Sequence, residues 1–256
     1  MRRAPRRLSS ALAVALLLAG CAIAPPTPHA PIDAEARRAV DLLAVRWQEF
    51  RDLRALADVT LKRGKDRQRL SGVVLALAPA SVRFEALSPF GQPFLLVTVH
   101  DGKITAYNAA TNEARVGAAN VETAADLLSL PVEPEDLVAL LSGRVAPPKD
   151  LRVAEILPPD ELGRSIKLVG RYNEQRVWMD FETGVVRRVT IAGGRTEATV
   201  TFQRGADGAL TGFDLTAGND YVTGTVRYRS LALNAGIDPE RFALTLPKDA
   251  KINSIR

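Results

Sequence analysis

The chain has 256 residues, 46% of them hydrophobic and 25% charged, enough to build one sizeable β-rich core or two small ones. Its formal charge of +5 is a poor guide to partners. Arg2, Arg3, Arg6 and Arg7 all precede Cys21 in a stretch without acidic residues, and without that stretch basic side chains outnumber acidic ones by one. Near-neutrality excludes a global attraction for nucleic acid or anionic lipid, and a single cysteine excludes internal disulfides, a Cys-ligated zinc site and a CxxC redox motif.

The first elements are those of export. The basic residues are followed by the apolar run Ala11 to Ala19, then Gly20 and Cys21, and the run is too short to cross a bilayer before Pro25 and Pro26 stop any helix. Leu18-Ala19-Gly20-Cys21 is similar to the lipobox of bacterial lipoproteins. That resemblance implies a signal peptide over 1–20, acylation of Cys21, and a lasting membrane anchor of several acyl chains. The four prolines between Ala22 and Pro31 make residues 21–31 an extended, lipidated spacer. Residues 32–256 contain no further linker and are read as one domain.

From Asp33 to Phe50, apolar residues Ala36, Val40, Leu43, Trp47 and Phe50 recur at spacings of three and four, which predicts a helix with Trp47 on its core face. Beyond residue 53 the period changes to two. Strands are expected around Val59 and Leu61, Val73 to Leu77, Val82 to Ala86, Phe94 to His100 and Lys103 to Asn108, with turns at Arg63-Gly64-Lys65, Ala78-Pro79-Ala80 and Asp101-Gly102. Two short amphipathic helices interrupt them. The first runs from Ala124 to Leu130 with Thr123 as its cap; the second starts at Pro134, buries Leu137, Leu140 and Leu141, and stops at Gly143. Strands resume at Leu151 to Leu157, Ser165 to Val169, Arg176 to Phe181, Val185 to Ala192, Glu197 to Arg204 and Tyr221 to Leu233. The architecture that results is mainly β with a few α-helices: a long, mostly antiparallel sheet whose curvature offers the helices a concave face.

Catalytic patterns are missing. His29 and His100 have no ligand spacing, and no GxSxG, HExxH, P-loop or GxGxxG motif is present. Glu133, Glu135 and Asp136 form an acidic cluster where a helix start favours negative charge, a structural role more readily than an acid/base pair. Neither enzymatic activity, nor a cofactor, nor a metal site is expected.

Two apolar strands flank Ser88-Pro89-Phe90-Gly91-Gln92-Pro93. Pro89 and Gly91 bracket one aromatic side chain at a loop tip, which can either fold back onto the sheet or stand free. Together with the lipobox, the Asp-Gly hairpin, and Leu130-Pro131-Val132-Glu133-Pro134-Glu135-Asp136-Leu137 running into Leu140-Leu141-Ser142-Gly143-Arg144, this loop resembles the LolB family of outer-membrane lipoprotein receptors, within the wider LolA/LolB-like group. The likeness extends from Arg51 to the C-terminus and is best between residues 82 and 144.

The resemblance implies an incomplete antiparallel β-barrel, a half-barrel covered by short helices. Its cavity would accept acyl chains of lipoproteins from a LolA-like periplasmic carrier, on a monomer anchored at the periplasmic face of the outer membrane and without a nucleic-acid partner. Pro89, Phe90 and Gly91 would form the membrane-contacting loop, Phe90 standing where the family usually has Leu. Leu75, Phe84, Leu95 and Val97 would line the cavity, and Leu127, Leu137 and Leu141 would belong to its lid. A carrier of another lipid or hydrophobic ligand, and an assembly lipoprotein, are the alternatives.

Overall fold

The computed structural model describes residues 32–128, 132–171, 173–193, 196–218 and 220–255. The signal segment, Cys21, the spacer and Leu130-Pro131 lie outside the described residues. From Ile32 to Ile255 the chain forms one compact unit with its own core.

Helix α1 (Ala34–Gln48) starts where the Asp33 carboxylate accepts the Ala36 amide at 2.8 Å and buries Ala36, Ala39 and Leu43. Strands β1 (Asp52–Arg63), β2 (Asp66–Leu77), β3 (Ser81–Leu87), β4 (Pro93–His100), β5 (Lys103–Asn108) and β6 (Glu113–Ala118) follow as antiparallel neighbours. At the β4–β5 hairpin both Asp101 and Gly102 take positive φ, 48° and 68°, as a two-residue turn matched to strand twist requires. Helices α2 (Val121–Leu128) and α3 (Pro134–Leu141) come next, then β7 (Val153–Asp160), β8 (Gly163–Val169), β9 (Glu174–Met179), β10 (Val186–Gly193), β11 (Thr196–Arg204), β12 (Leu210–Ala217) and β13 (Val222–Leu233). A 3-10 turn at Pro239–Phe242 and β14 (Lys251–Ser254) complete the chain.

All fourteen strands belong to one open sheet in the order β14-β6-β5-β4-β3-β2-β1-β13-β12-β11-β10-β9-β8-β7. β1 joins the halves through β13, and β14 alone pairs in parallel, on β6. The outermost strands are β14 and β7, so the sheet does not close into a barrel. One face is apolar along its whole length. Leu53 and Ala55 on β1, Val74 and Ala76 on β2, Val177 on β9, Val200 on β11 and Leu215 on β12 are buried there with residues of α1 and α3 in a single core. α1 packs toward β7, α2 over β5, and α3 over β2 and β3.

The Leu140–Arg144 segment is a clamp. Gly143 (φ 72°) turns the chain after α3, Arg144 Nε donates to the Arg46 carbonyl at 2.9 Å, Arg144 Nη1 donates to the Ser142 carbonyl at 3.0 Å, and the Tyr228 hydroxyl donates to the Leu141 carbonyl at 2.7 Å. The last carbonyls of α1 and α3 are thereby satisfied by side chains.

The sequence expectations need three corrections. α2 is capped by Asn120, whose Oδ1 accepts the Thr123 amide at 2.9 Å, so Thr123 lies inside the first turn, and the described helix ends at Leu128. β6, β12 and β14 are strands beyond those expected: β12 lies between β11 and β13 and buries alternating Phe213, Leu215 and Ala217, while β6 and β14 pair at the end of the sheet. Leu75 pairs with Arg54 and Arg83 and so faces away from the helices, the opposite face from Val74 and Phe84.

That outer face has its own cover. Residues 234–250 cross it as a strap, tied at one end by Asp52, whose carboxylate accepts the Ala235 and Gly236 amides at 2.8 and 3.1 Å. Arg83 Nη1 donates to the Arg241 and Ala243 carbonyls, both at 3.0 Å, and Phe242 is fully buried with its ring 6.0 Å from that of His100. The strap then delivers β14 to β6. Phe242→Ala is therefore expected to cost about 3–5 kcal/mol, read as a lower urea midpoint of unfolding; an unchanged midpoint would mean the strap contributes nothing to the fold.

Candidate functional site

Toward one end of the first six strands the large side chains of the helix-covered face are only half-buried, although Ala86 of β3 stays fully buried there. Leu53 on β1, Ala76 on β2, Val82 on β3, Val99 on β4 and Ile104 on β5 are buried, whereas Leu61, Leu70, Phe84, Leu95 and Val97 on the same face are half-buried. Leu127 of α2 and Leu137 of α3 are half-buried against the core beside this strip, and Leu141 is 8% exposed within it. Of the residues expected to line a cavity, Phe84, Leu95 and Val97 thus share one face, and Leu75 does not. An apolar strip with an incomplete lid can take an aliphatic chain alongside it, since each buried CH2 contributes about 0.8 kcal/mol.

The strip opens beside the β3–β4 loop. Ser88 organises that loop: its carbonyl accepts the Gly91 amide at 2.9 Å, its amide donates to the Gln92 carbonyl at 2.8 Å, and its Oγ accepts the Phe90 and Gln92 amides at 3.3 and 3.2 Å. Gly91 at φ 77° supplies the left-handed residue that closes the turn. The Ser88 amide, carbonyl and hydroxyl and the Phe90, Gly91 and Gln92 amides are thus engaged within the loop, and Phe90 stands 91% exposed between exposed Pro89 and Gly91. The ring does not fold back. An exposed phenyl group on a braced turn can enter a bilayer, gaining roughly 1.5–3 kcal/mol when buried, enough for transient contact and too little for an anchor.

A second site is polar. A cleft of about 660 Å³ lies among Ala80, the start of α3, residues 146–150 and strands β9 and β10. Asp136, in the acidic cluster at the α3 start, is buried beneath it, and burial, then the charges of Glu133 and Glu135, push its pKa up to about 7. Gln175 reaches it from β9: Nε2 donates to Asp136 Oδ1 at 3.3 Å and to the Ala146 carbonyl at 3.2 Å, while Oε1 has no partner among the described residues. Burial, then the charge of Glu122, also raises the Glu133 pKa. Glu135 is the neutralised member, with Lys149 Nζ at 2.7 Å and Trp47 Nε1 donating at 3.3 Å. The sequence had placed this cluster at a helix start without a cleft. The missed signal is Gln175, a polar residue at the inward-facing position of a strand that otherwise buries Val177 and Met179 there. No group of His, Cys, Asp and Glu among the described residues is arranged to hold a metal ion, and no helix among them is long and apolar enough to cross a membrane.

An open antiparallel sheet with one helix-covered apolar face is an architecture this chain shares with solved structures, a LolA superfamily protein among them. Three of them are similar in fold. A putative outer membrane lipoprotein-sorting protein domain from Vibrio parahaemolyticus matches with a TM-score of 0.57 and 12% identity, over 81% of this chain and 97% of that one. A LolA superfamily protein from Nitrosomonas europaea matches with a TM-score of 0.55 and 10% identity, over 82% and 97%. A DUF1329 family protein from Desulfovibrio piger gives 0.51 and 14%, over 82% and 97%. At these identities the likeness is one of fold. No protein-family model matches the chain, and no curated protein matches its sequence.

The buried carboxyl has a measurable signature. A free Asp ionises near 3.8, whereas Asp136 in the fold holds its proton to about 7, so the folded state binds more protons between these values. Stability should fall as pH rises through that window and level off above it. Asp136→Asn is expected to flatten the fall and to raise the melting temperature at neutral pH. Parallel melting curves of the two proteins at mildly acidic and neutral pH would refute the shift.

Proposed function

We propose that the chain is a lipoprotein anchored through Cys21 at the periplasmic face of the outer membrane, and that it accepts acylated lipoproteins from a LolA-like carrier and inserts them into that membrane. Transfer is non-covalent: an acyl chain leaves one apolar site for another and then for the bilayer, with no cofactor and no bond broken. One juxtaposition carries the reading. The half-buried strip of Leu61, Leu70, Phe84, Leu95 and Val97 opens next to the braced, exposed Phe90, so a chain released from the strip is already beside the group that enters the membrane. The fold likenesses agree with this reading in class, since a lipoprotein-sorting domain and a LolA superfamily protein share the architecture. A second reading, a lipid-anchored carrier of another hydrophobic ligand with a polar head, draws on the cleft beside Asp136 and Gln175, which a relay of acyl chains does not use.

Depletion followed by fractionation separates the two. General accumulation of lipoproteins in the periplasm supports the receptor, and loss of one lipid species supports the carrier. Phe90→Glu is expected to leave the melting temperature and cargo uptake unchanged, because an exposed substitution shifts stability by about 0.5 kcal/mol or less, and to impair delivery into liposomes. Phe90→Leu should deliver normally. A stable Phe90→Glu protein with full delivery would remove the loop from the mechanism. Cys21→Ser should abolish palmitate labelling and release the protein from membranes; an unlabelled parent with unchanged partitioning of the variant would remove the anchor.

A further inference from the structure

The β1–β2 hairpin outruns its neighbour. β2 pairs with β3 only from Leu77 to Gly72 and continues to Asp66, so its last turns of strand overhang the Phe90 loop, which begins just after Leu87. Gly72 marks the departure, since a Cβ there would stand 2.1 Å from the Glu85 carbonyl oxygen and the two strands could not approach. The overhang carries Lys62, Arg63, Lys65, Arg67 and Arg69, all exposed, against the single acid Asp66. None of the five forms an ion pair or a side-chain hydrogen bond among the described residues. Farther down the same sheet Arg227 meets Asp214 at 3.0 Å and Arg229 meets Asp58 at 2.5 Å, the latter holding the Asp58 pKa below its ordinary value. Exposed Arg54 on β1 is also without an ion pair among the described residues, but it stands singly, whereas the tip gathers five such cations between residues 62 and 69. The tip also carries an aromatic. Tyr221 accepts the Gly64 amide on its carbonyl at 2.9 Å, and its ring, on a residue 59% exposed, lies 3.1 Å from where a Gly64 Cβ would be.

We propose that this hairpin binds the phosphate headgroups of an anionic bilayer and sets the domain on the membrane with Phe90 pointing in. The partner follows from the mixture of groups. Five Lys and Arg against one Asp, a Tyr ring and an exposed Phe on adjacent loops match a surface that is anionic outside and apolar within, where aromatic rings with polar tips settle at the boundary. A near-neutral chain has no global pull on such a surface, so the local cluster provides the attraction that composition does not. The proposal rests on the reading of the Phe90 loop as membrane-facing, and it adds what that reading lacks: an orientation, and a preference for anionic lipid.

The test is co-sedimentation of residues 32–256, the compact unit described above, with vesicles of phosphatidylcholine alone and with vesicles in which part of it is replaced by phosphatidylglycerol. Each Lys or Arg near an anionic surface strengthens binding about fivefold, so R67Q together with R69Q should weaken binding to the anionic vesicles roughly 25-fold at low salt. Binding to phosphatidylcholine should be unchanged, and Lys at both positions should restore the parent behaviour. F90E should weaken binding to both kinds of vesicle, so the failure of either idea is visible separately. Equal binding of the parent to the two vesicles overturns the proposal. So does a paired variant that sediments like the parent but loses cargo uptake from a carrier, an outcome that assigns the cluster to an acidic protein surface.

Discussion

The controlling constraint is an apolar sheet face that cannot be closed on itself. With β14 and β7 left as outer strands, the inner face of a fourteen-stranded sheet has to be covered by something else. Three helices among the described residues do most of this, and Leu43 of α1 and Val138 of α3 are buried among residues from both halves of the sheet. The helices are short, eight residues each for α2 and α3, and they run out before the strands do. The half-buried strip is what remains. A partly uncovered apolar surface is thus a direct consequence of leaving the sheet open and roofing it with too little helix.

Polar groups divide along the same geometry. Under the roof, Asp136 and Gln175 share one hydrogen bond, and Gln175 Oε1 has no partner among the described residues; burial, then the charges of Glu133 and Glu135, raise the Asp136 pKa, which costs stability at neutral pH. Outside it, buried Asp52 satisfies two strap amides and half-buried Asp58 meets Arg229, so these acids hold the chain's crossings and the outer face of the sheet. The overhanging hairpin departs from both patterns, being exposed, cationic and unpaired. A sheet edge that projects beyond its neighbour would normally be a liability for association, and charge along it keeps such an edge from pairing with another chain.

Legibility in the sequence followed burial. Strands with one wet and one dry face announce themselves, as in Val82, Phe84 and Ala86 on β3 or Ala198, Val200 and Phe202 on β11. β14, with every residue exposed, has no burial pattern to read, and β12 hides behind Gly212 and the Asp207-Gly208 turn. Leu75 was misassigned because Gly72-Val73-Val74-Leu75-Ala76-Leu77 is apolar on both faces; alternation identifies two faces but cannot say which one meets the helices. The loop at Phe90 was read correctly as a turn with an aromatic tip, while its direction stayed undecided until the hydrogen bonds of Ser88 were visible.

Local chemistry therefore determined the turns, the helix faces and the presence of an apolar tip, because each depends on residues within a few positions of one another. Tertiary structure alone decided which sheet face is roofed, that Asp136 is buried within hydrogen-bond reach of Gln175, and that five cations at a hairpin tip overhang the Phe90 loop. Those outcomes depend on register and on strand lengths differing between neighbours: β2 extends to Asp66 where β3 has already turned at Leu87. The relation between residues 69 and 90 is a distance across a sheet, and nothing in the order of residues along the chain encodes it without the pairing of the strands between.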